Sequence, residues 1–417
     1  MAKSNSGGAA DTAQALNDHL NQLDAQFVGR RSMLELILLG LIMHEHVLLI
    51  GPPGTGKSAA VQAMASSLKV RNFEYLIGRF TEPSELFGGL DLNALKDGKV
   101  KPVIDNMLPE AEIAFLDEIF LGSTAILNSL LKILNERTYQ RGQFSVRTPL
   151  ISCVAASNHL PDDPLLAAFA DRFLLTMFVD PVGDEQLPSL LDVGWKQFQD
   201  TASRVKPLPK STLTKLHQAS LKVDLSEVRE AYAHIMRKLR LLGVTLSDRK
   251  IVKGQKAIAV AALMRGKLVA GPEDLWPVTY LVQDPVRQGE ARELLETELK
   301  STHNPVLSHS ASEATYGATA HAAQLLGLGE ALIANKPSLE TDENYEIWLV
   351  RLESLQTRID AAFESEDLPQ GLRILRASLV SHLENKNTTS EEIVAKGPQP
   401  TTPRTPPKPN PWGAGDS

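Results

Sequence analysis

Cysteine is almost missing from this chain: Cys153 is the only one among 417 residues, so no intrachain disulfide can form. It sits in the apolar run Leu150-Ile151-Ser152-Cys153-Val154-Ala155-Ala156, where a buried strand residue is expected rather than a reactive thiol. His44 and His46 have no cysteine or carboxylate at ligand spacing, so no zinc site is assigned. Long hydrophobic runs are also missing. The strongest, Leu34 to Met43, is too short to span a bilayer. The first residues, Met1-Ala2-Lys3-Ser4-Asn5-Ser6-Gly7-Gly8, carry no signal-peptide apolar region, and cytoplasmic residence is the expectation. Positive charge is in deficit, with a net charge of -7. That argues against a protein built to coat nucleic acid, while a local basic pore stays open. No internal repeat is visible. What remains is ordinary for a globular chain of two or three domains: 43% hydrophobic and 22% charged residues, enough to bury a substantial core.

The most informative stretch is Gly51-Pro52-Pro53-Gly54-Thr55-Gly56-Lys57-Ser58, which satisfies GxxxxGK[ST] at every fixed position. The apolar run His46–Ile50 before it reads as a buried strand, and Ala59–Ala65 after it reads as a helix. In that context the glycines turn backbone N–H groups toward an anion, and the helix N-terminus adds partial positive charge. Lys57 can reach β- and γ-phosphates, and the Ser58 hydroxyl can hold Mg²⁺. A nucleoside triphosphate is the expected ligand.

Residues 1–10 read as disordered, Asp11 to Leu23 as an amphipathic helix, and Arg31 to Met43 as an apolar helix. Up to about residue 183, strand-like runs (73–77, 112–116 and 150–156) alternate with helical patterns. Alternation of this kind predicts an α/β core with a parallel sheet wrapped by helices, over residues 11–183. Residues 184–283 read as helices broken at Pro207-Leu208-Pro209 and Gly271-Pro272. Residues 284–386 read as a helical bundle or coiled-coil extension, divided at Pro337–Asp342. There Ile347, Val350, Leu352, Leu355 and Ile359 give a near-heptad spacing that predicts a packed seam. Residues 387–417 are proline-rich and are expected to be disordered, with Trp412 an exposed tail residue or a docking anchor.

Two further features bear on chemistry. The apolar run Ile113-Ala114-Phe115-Leu116 ends in Asp117-Glu118. A strand there presents Asp117 to Mg²⁺ through water, opposite Ser58, and Glu118 can polarise an attacking water as general base. The next strand ends in Ala155-Ala156-Ser157-Asn158, which sets Asn158 beside the γ-phosphate to orient that water. The plainer alternatives are a helix N-cap for the paired acids and an Asx turn for Asn158.

Together with Ala170-Asp171-Arg172-Phe173, this set resembles the AAA+ ATPases. Within them it is most similar to the MoxR group, especially its RavA branch. The likeness lies in Phe73-Glu74-Tyr75-Leu76, Arg79-Phe80-Thr81, Glu85-Leu86-Phe87-Gly88, Leu108–Glu112, Leu134-Asn135-Glu136-Arg137 and Ala155–Asn158. It covers about residues 15–285 and implies a P-loop AAA+ core, a helical lid and a C-terminal helical segment. It also implies ATP and Mg²⁺ as ligands, Val28 and Gly29 against the adenine, and Arg172 as a finger reaching the neighbouring subunit's γ-phosphate. Arg249 matches the lid arginine that senses nucleotide in cis, with Lys250 and Arg240 as competitors. For Arg172 the plainer alternative is an ion pair with Asp171.

Two insertions look like the family's pore-facing devices. One is 88–108, with Asp97-Gly98 as a hairpin turn between Leu95 and Val100, and the other is a hairpin over 138–146. The resemblance further implies a ring of six, a partner bearing a von Willebrand factor A domain, and a protein client remodelled by ATP hydrolysis. RavA-type proteins insert a β-rich domain in the helical tail, and no such insert is visible between Gln283 and Leu383. The alternatives are a nucleic-acid motor using Lys99, Lys101, Arg141 and Arg147, and a slow nucleotide-gated scaffold. The acidic balance weighs against the first, and the Asp117-Glu118 pair against the second.

Overall fold

The computed structural model describes residues 6–96, 98, 100–183, 186–199, 205–299, 302, 304–337, 343–362 and 370–395. Asp97, Lys99 and Trp412, and the expectations resting on them, lie outside the described residues. The chain divides into two compact units, 1–318 and 319–417.

In the first unit five short strands make a fully parallel sheet: β1 (Val47–Ile50), β2 (Asn72–Leu76), β3 (Ile113–Asp117), β6 (Ser152–Ser157) and β7 (Leu175–Phe178), in the order β2-β3-β6-β1-β7. Between β3 and β6 an antiparallel hairpin stands apart from the sheet, β4 (Thr138–Arg141) paired to β5 (Phe144–Arg147). Strand period explains the layers. Val47 and Leu49, Ile113 and Phe115, and Val154 and Ala156 face one apolar core, while Leu48 and Ile50, Ala114 and Leu116, and Cys153 and Ala155 face a second. With both faces covered, the strands read as continuous apolar runs. The β7 strand was not picked out in the sequence.

The first core is covered by α1 (Ser6–Asp24), α2 (Arg31–Met43) and α3 (Lys57–Leu68). It continues without a break into α9 (Lys210–Ser220), α10 (Arg229–Leu241), α11 (Asp248–Met264) and the buried Trp276 and Tyr280. The α8 helix (Leu187–Phe198) has no buried residue. Onto the second core pack α4 (Pro83–Phe87), α6 (Thr124–Glu136) and α7 (Pro164–Ala170). Caps set the helix starts: Asp163 accepts from the Leu165 N–H at 2.7 Å ahead of α7, with Pro164 as first helical residue.

The domain limits differ from expectation. The α1 helix begins at Ser6 rather than Asp11. Among the described residues one core runs across both 183/184 and 283/284: α9, α10 and α11 share it with the sheet, and Ala291 of α12 (Pro285–Leu294), the following Leu295 and Leu299 of α13 (Glu296–Leu299) enter it too. Gln283 Nε2 donates to Ala170 O at 2.6 Å and Gln288 Nε2 to Thr176 O at 3.2 Å, fastening that segment to the sheet.

The 88–108 insertion is a hairpin only at its base, where Leu90 bridges Pro102. Its far end is the short helix α5 (Leu92–Lys96), capped by Asp91 Oδ1 accepting from Asn93 N–H at 2.9 Å, and Gly98 N–H donates to Leu95 O at 3.0 Å. A capped run of helix formers thus precedes Gly98, whose φ is 74°, while the expected Asp97-Gly98 turn includes Asp97 and lies outside the described residues. The 138–146 expectation matches β4–β5, and Tyr139 stacks on Phe87 at 5.4 Å.

The helix α14 (Ser308–Ala334) spans the division between the units. In the second unit α15 (Glu343–Ala362) and α16 (Gln370–Ala395) pack through Trp348, Leu349, Leu352, Leu355 and Ile359 against Leu372, Leu375 and Leu379. Helix is described as far as Ala395, past the expected limit at 386. Two seam positions are corrected: Ile347 and Val350 are 50% and 63% exposed. A stripe at 348, 352, 355 and 359 follows the 3.6-residue period, which carries 347 and 350 off the buried face.

Candidate active site

The ends of β1, β3 and β6 bring the chemistry-bearing residues together. At the end of β1 the chain leaves through Gly51, where a Cβ would come within 2.1 Å of Val179 O. Gly54 and Gly56 hold φ of 78° and 80°, and nothing lies within 4 Å of where their Cβ atoms would be. Such backbone is open to glycine, and it leaves room for a bulky anion over the start of α3. Lys57 is buried, and its Nζ donates to Gly51 O at 2.7 Å, Pro52 O at 2.8 Å and Thr55 Oγ1 at 3.4 Å. Burial lowers the Lys57 pKa, while the Asp117 and Glu118 carboxylates pull it back up. The ammonium is thus held inside the loop by weak acceptors that a phosphate oxygen would replace with a stronger, charge-assisted one.

Asp117 Oδ1 accepts from the Glu118 N–H at 3.0 Å. Glu118 itself has φ 51°, a left-handed backbone rare for residues other than glycine. From the end of β6, Asn158 Nδ2 donates to Glu118 Oε1 at 2.5 Å. On another side Glu118 borders an open depression of about 490 Å³ lined by Ile77, Gly78, Arg79, Phe80 and Leu121.

Arg30, not picked out from the sequence, fastens this frame. Its Nε donates to Thr55 O at 2.7 Å and its Nη2 to Asp180 O at 2.9 Å, tying the P-loop to the end of β7. Its position directly after Val28-Gly29 was the available signal. The carboxamide of Gln186 reaches the Gly29 backbone, 2.6 Å from where a Cβ would stand.

Arg172 and Arg249 form a separate group around Asp171. Arg249 Nη2 donates to Asp171 Oδ2 at 2.6 Å, the Ser247 hydroxyl donates to the same oxygen at 2.9 Å, and Arg172 Nη1 lies 3.7 Å from it. Arg172 Nε is buried without a hydrogen-bond partner. Burial first, and then the Arg249 charge, lower the Arg172 pKa. Arg249 is therefore grouped with the finger candidate, whereas its matched role set it against the nucleotide of its own chain. Lys250 is buried instead of sharing that surface.

Other motif residues are structural. Arg137 Nη2 donates to His44 O at 2.8 Å, and Arg137 contacts His46 and Leu134 O, joining the end of α6 to the start of β1. Cys153 is buried, and burial pushes its thiol up to about 12. Arg141 Nη1 donates to Gly88 O at 2.9 Å, so this nucleic-acid candidate is tied to its own fold. Among the described residues no group of three or more His, Cys, Asp or Glu could hold a metal, and no helix is long and apolar enough to cross a membrane.

A parallel sheet ordered β2-β3-β6-β1-β7, a P-loop after β1 and paired acids at the end of β3 define the AAA+ class of P-loop ATPases. A family model described as the MoxR domain in the MoxR-vWA-beta-propeller ternary systems matches residues 14–218. The uncharacterized protein MJ0812 of Methanocaldococcus jannaschii is 38% identical over 256 residues, 61% of this chain and 67% of that protein. Chaperone MoxR1 of Mycobacterium tuberculosis is 27% identical over 41% of this chain and 46% of its own. A crystal structure from Cytophaga hutchinsonii, described as a candidate ATPase, shares the fold with a TM-score of 0.55. It does so at 19% identity, covering 72% of this chain and 98% of that one. The chain belongs to the MoxR family of AAA+ ATPases.

Proposed function

We propose that this chain hydrolyses ATP at sites shared between neighbouring copies of itself, and that the cycle remodels or activates a protein client. The observation that carries the reading is the 2.5 Å hydrogen bond from Asn158 to Glu118. It aims one carboxylate oxygen as a base, within the field of Lys57, and the Asn158 amide can orient the water that Glu118 deprotonates. Mg²⁺ would be held by Ser58 and Asp117, and it would neutralise charge on the β- and γ-phosphates. The loop residues Gly51, Pro52, Pro53, Gly54, Thr55 and Gly56 would wrap the phosphates, with Val28 and Gly29 against the base.

Arg172 and Arg249, gathered on Asp171, then serve the nucleotide of the adjoining copy as cations reaching its γ-phosphate. Head-to-tail contacts of this kind close into a ring, of six by family likeness. The 88–108 loop and the 138–147 hairpin are the devices moved by hydrolysis. The name of the matched family supports a partner with a von Willebrand factor A domain, and a cytoplasmic site of action fits the same reading. Placement in a RavA-like branch rests on the residue motifs alone, and the described elements from Pro285 to Ala395 are all helices.

The test is a mixing experiment. Arg172→Ala should abolish turnover, by about 10³-fold or more, with ATP binding intact, and mixing it with Lys57→Ala protein should restore part of the activity. If the mixture is no more active than its two components, the shared site is rejected.

A further inference from the structure

Lys250 stands out as a buried charge without a partner. It is 2% exposed, and its Nζ has no hydrogen bond. It lines a cavity of about 200 Å³ together with Asp171, Thr245, Gln283, Asp284 and Arg287. The charged groups facing it come from three elements. Asp171 follows α7, Arg249 precedes it on α11, and Asp284 and Arg287 belong to the start of α12. Arg172 adds a further cation on Asp171. Asp284 is engaged as the cap of α12, accepting from Arg287 N–H at 2.8 Å, and the Arg287 guanidinium pairs with Glu290 at 2.7 Å. Asp171 is the carboxylate left to answer Lys250, and in the single chain Arg249 and Ser247 occupy it.

The charges balance only if the arginines leave. With both on Asp171, cations crowd one carboxylate, and Lys250 is the surplus one. When Arg172 and Arg249 swing to a neighbour's phosphates, Asp171 would keep only the Ser247 hydroxyl. A half-buried carboxylate without a counter-ion is strongly disfavoured. Lysine has a flexible four-carbon stem and rotatable donors, and the cavity gives it room to turn. We propose that Lys250 is a positioning residue that takes over Asp171 when Arg172 and Arg249 engage the adjoining subunit's nucleotide. It thereby lowers the barrier to that engagement. The idea rests on the shared-site reading above and extends it.

The hand-off has a proton signature. Burial above all, with Asp171 opposing it and Arg249 adding to it, lowers the resting Lys250 pKa to about 7. Pairing with an uncovered Asp171 would raise it, so engagement takes up a proton. Wild-type turnover at saturating ATP and protein should therefore decline as pH rises above about 7 and level off about tenfold lower, where the neutral amine acts as a methionine would. Lys250→Met should bind ATP as wild type does, turn over about tenfold more slowly at pH 6.5, and lack that alkaline decline. Wild-type turnover in Lys250→Met, or slow turnover with the decline retained, overturns the proposal. Should Lys250→Met not fold, Lys250→Arg takes its place. It keeps its proton throughout this range, so an alkaline decline that persists in it overturns the proposal as well. A fully active Arg172→Ala variant would instead sink the shared-site reading, and so the two failures are told apart.

Discussion

Asn158 Nδ2 lies 2.5 Å from Glu118 Oε1, joining the ends of two adjacent parallel strands across the top of the sheet. Glu118 reaches that position through a left-handed backbone at φ 51°. Strain at a single residue, with a hydrogen bond from the next strand holding the result, marks a carboxylate that is aimed.

Loss of the Asn158 amide frees the Glu118 carboxylate to rotate. Asn158→Ala should lower turnover by about 10²–10³-fold and leave ATP binding within about threefold of wild type. Steady-state turnover and equilibrium nucleotide binding measured side by side check this. A matched loss in both would show that Asn158 merely supports the fold.

Glu118→Gln keeps the shape and the contact with Asn158 but removes the base. Hydrolysis should slow by about 10²–10⁴-fold, and ATP should stay bound long enough to be recovered intact. Rapid product formation in single-turnover mixing would reject Glu118 as base.

Gly51 has no room for a side chain, because a Cβ would lie 2.1 Å from Val179 O. Gly51→Ala must push β7 away from the P-loop, costing about 1–3 kcal/mol of stability. Nucleotide affinity should weaken by about tenfold or more. Denaturant titration with a binding assay reads both. An alanine variant with wild-type stability would contradict the packing at this point.

Acid should destabilise the first unit through the buried His46 and the partly buried His44. Burial, His217 and Arg137 lower the His44 pKa to about 4, and burial then Arg137 hold His46 well below the ordinary value of 6.5. Both are held neutral in the folded state, so below pH 6.5 the unfolded chain binds more protons. Stability is full above pH 6.5 and falls as pH drops toward 4. The slope is at most about 1.4 kcal/mol per unit for each group, and less for His44, which water partly screens. Urea midpoints for wild type and His44→Asn at pH 7 and pH 5 test it. An equal acid loss in both proteins would clear His44 of any part.

In the helical second unit, Trp348→Ala should remove about 3–5 kcal/mol of local stability, since the ring is buried between α15 and α16 and its Nε1 donates to Leu332 O at 2.6 Å. Ile347→Ala and Val350→Ala should each stay within about 0.5 kcal/mol. Amide hydrogen exchange on the full chain separates the two outcomes, and a reversed order would restore the heptad seam read from spacing.

How much of this was legible in advance depended on the range over which each feature is determined. The P-loop was legible because its glycines, lysine and serine act through backbone turns within eight consecutive residues, Gly51–Ser58. Asp117-Glu118 and Asn158 were legible because each closes a buried apolar run. The short helix inside the 88–108 insertion was not, since the sequence pointed to a hairpin there and the Asp91 cap builds a helix over Leu92–Lys96 above the Leu90–Pro102 bridge. Local signals compete there, and the chain resolves them by hydrogen bonding.

By itself, the sequence determined that a glycine-rich P-loop turn sits between a buried strand and a helix, with acids and an amide on the strands that follow. Those features are short-range and need only the period of a strand and the turn of a glycine. Tertiary structure alone decided that Arg30 ties the loop to β7, that Arg249 joins Arg172 on Asp171, and that Lys250 is buried beside them unpaired. Positions 171 and 249 are far apart in the chain, and only the packing of the 205–282 helices onto the sheet's core brings their charges within bonding distance.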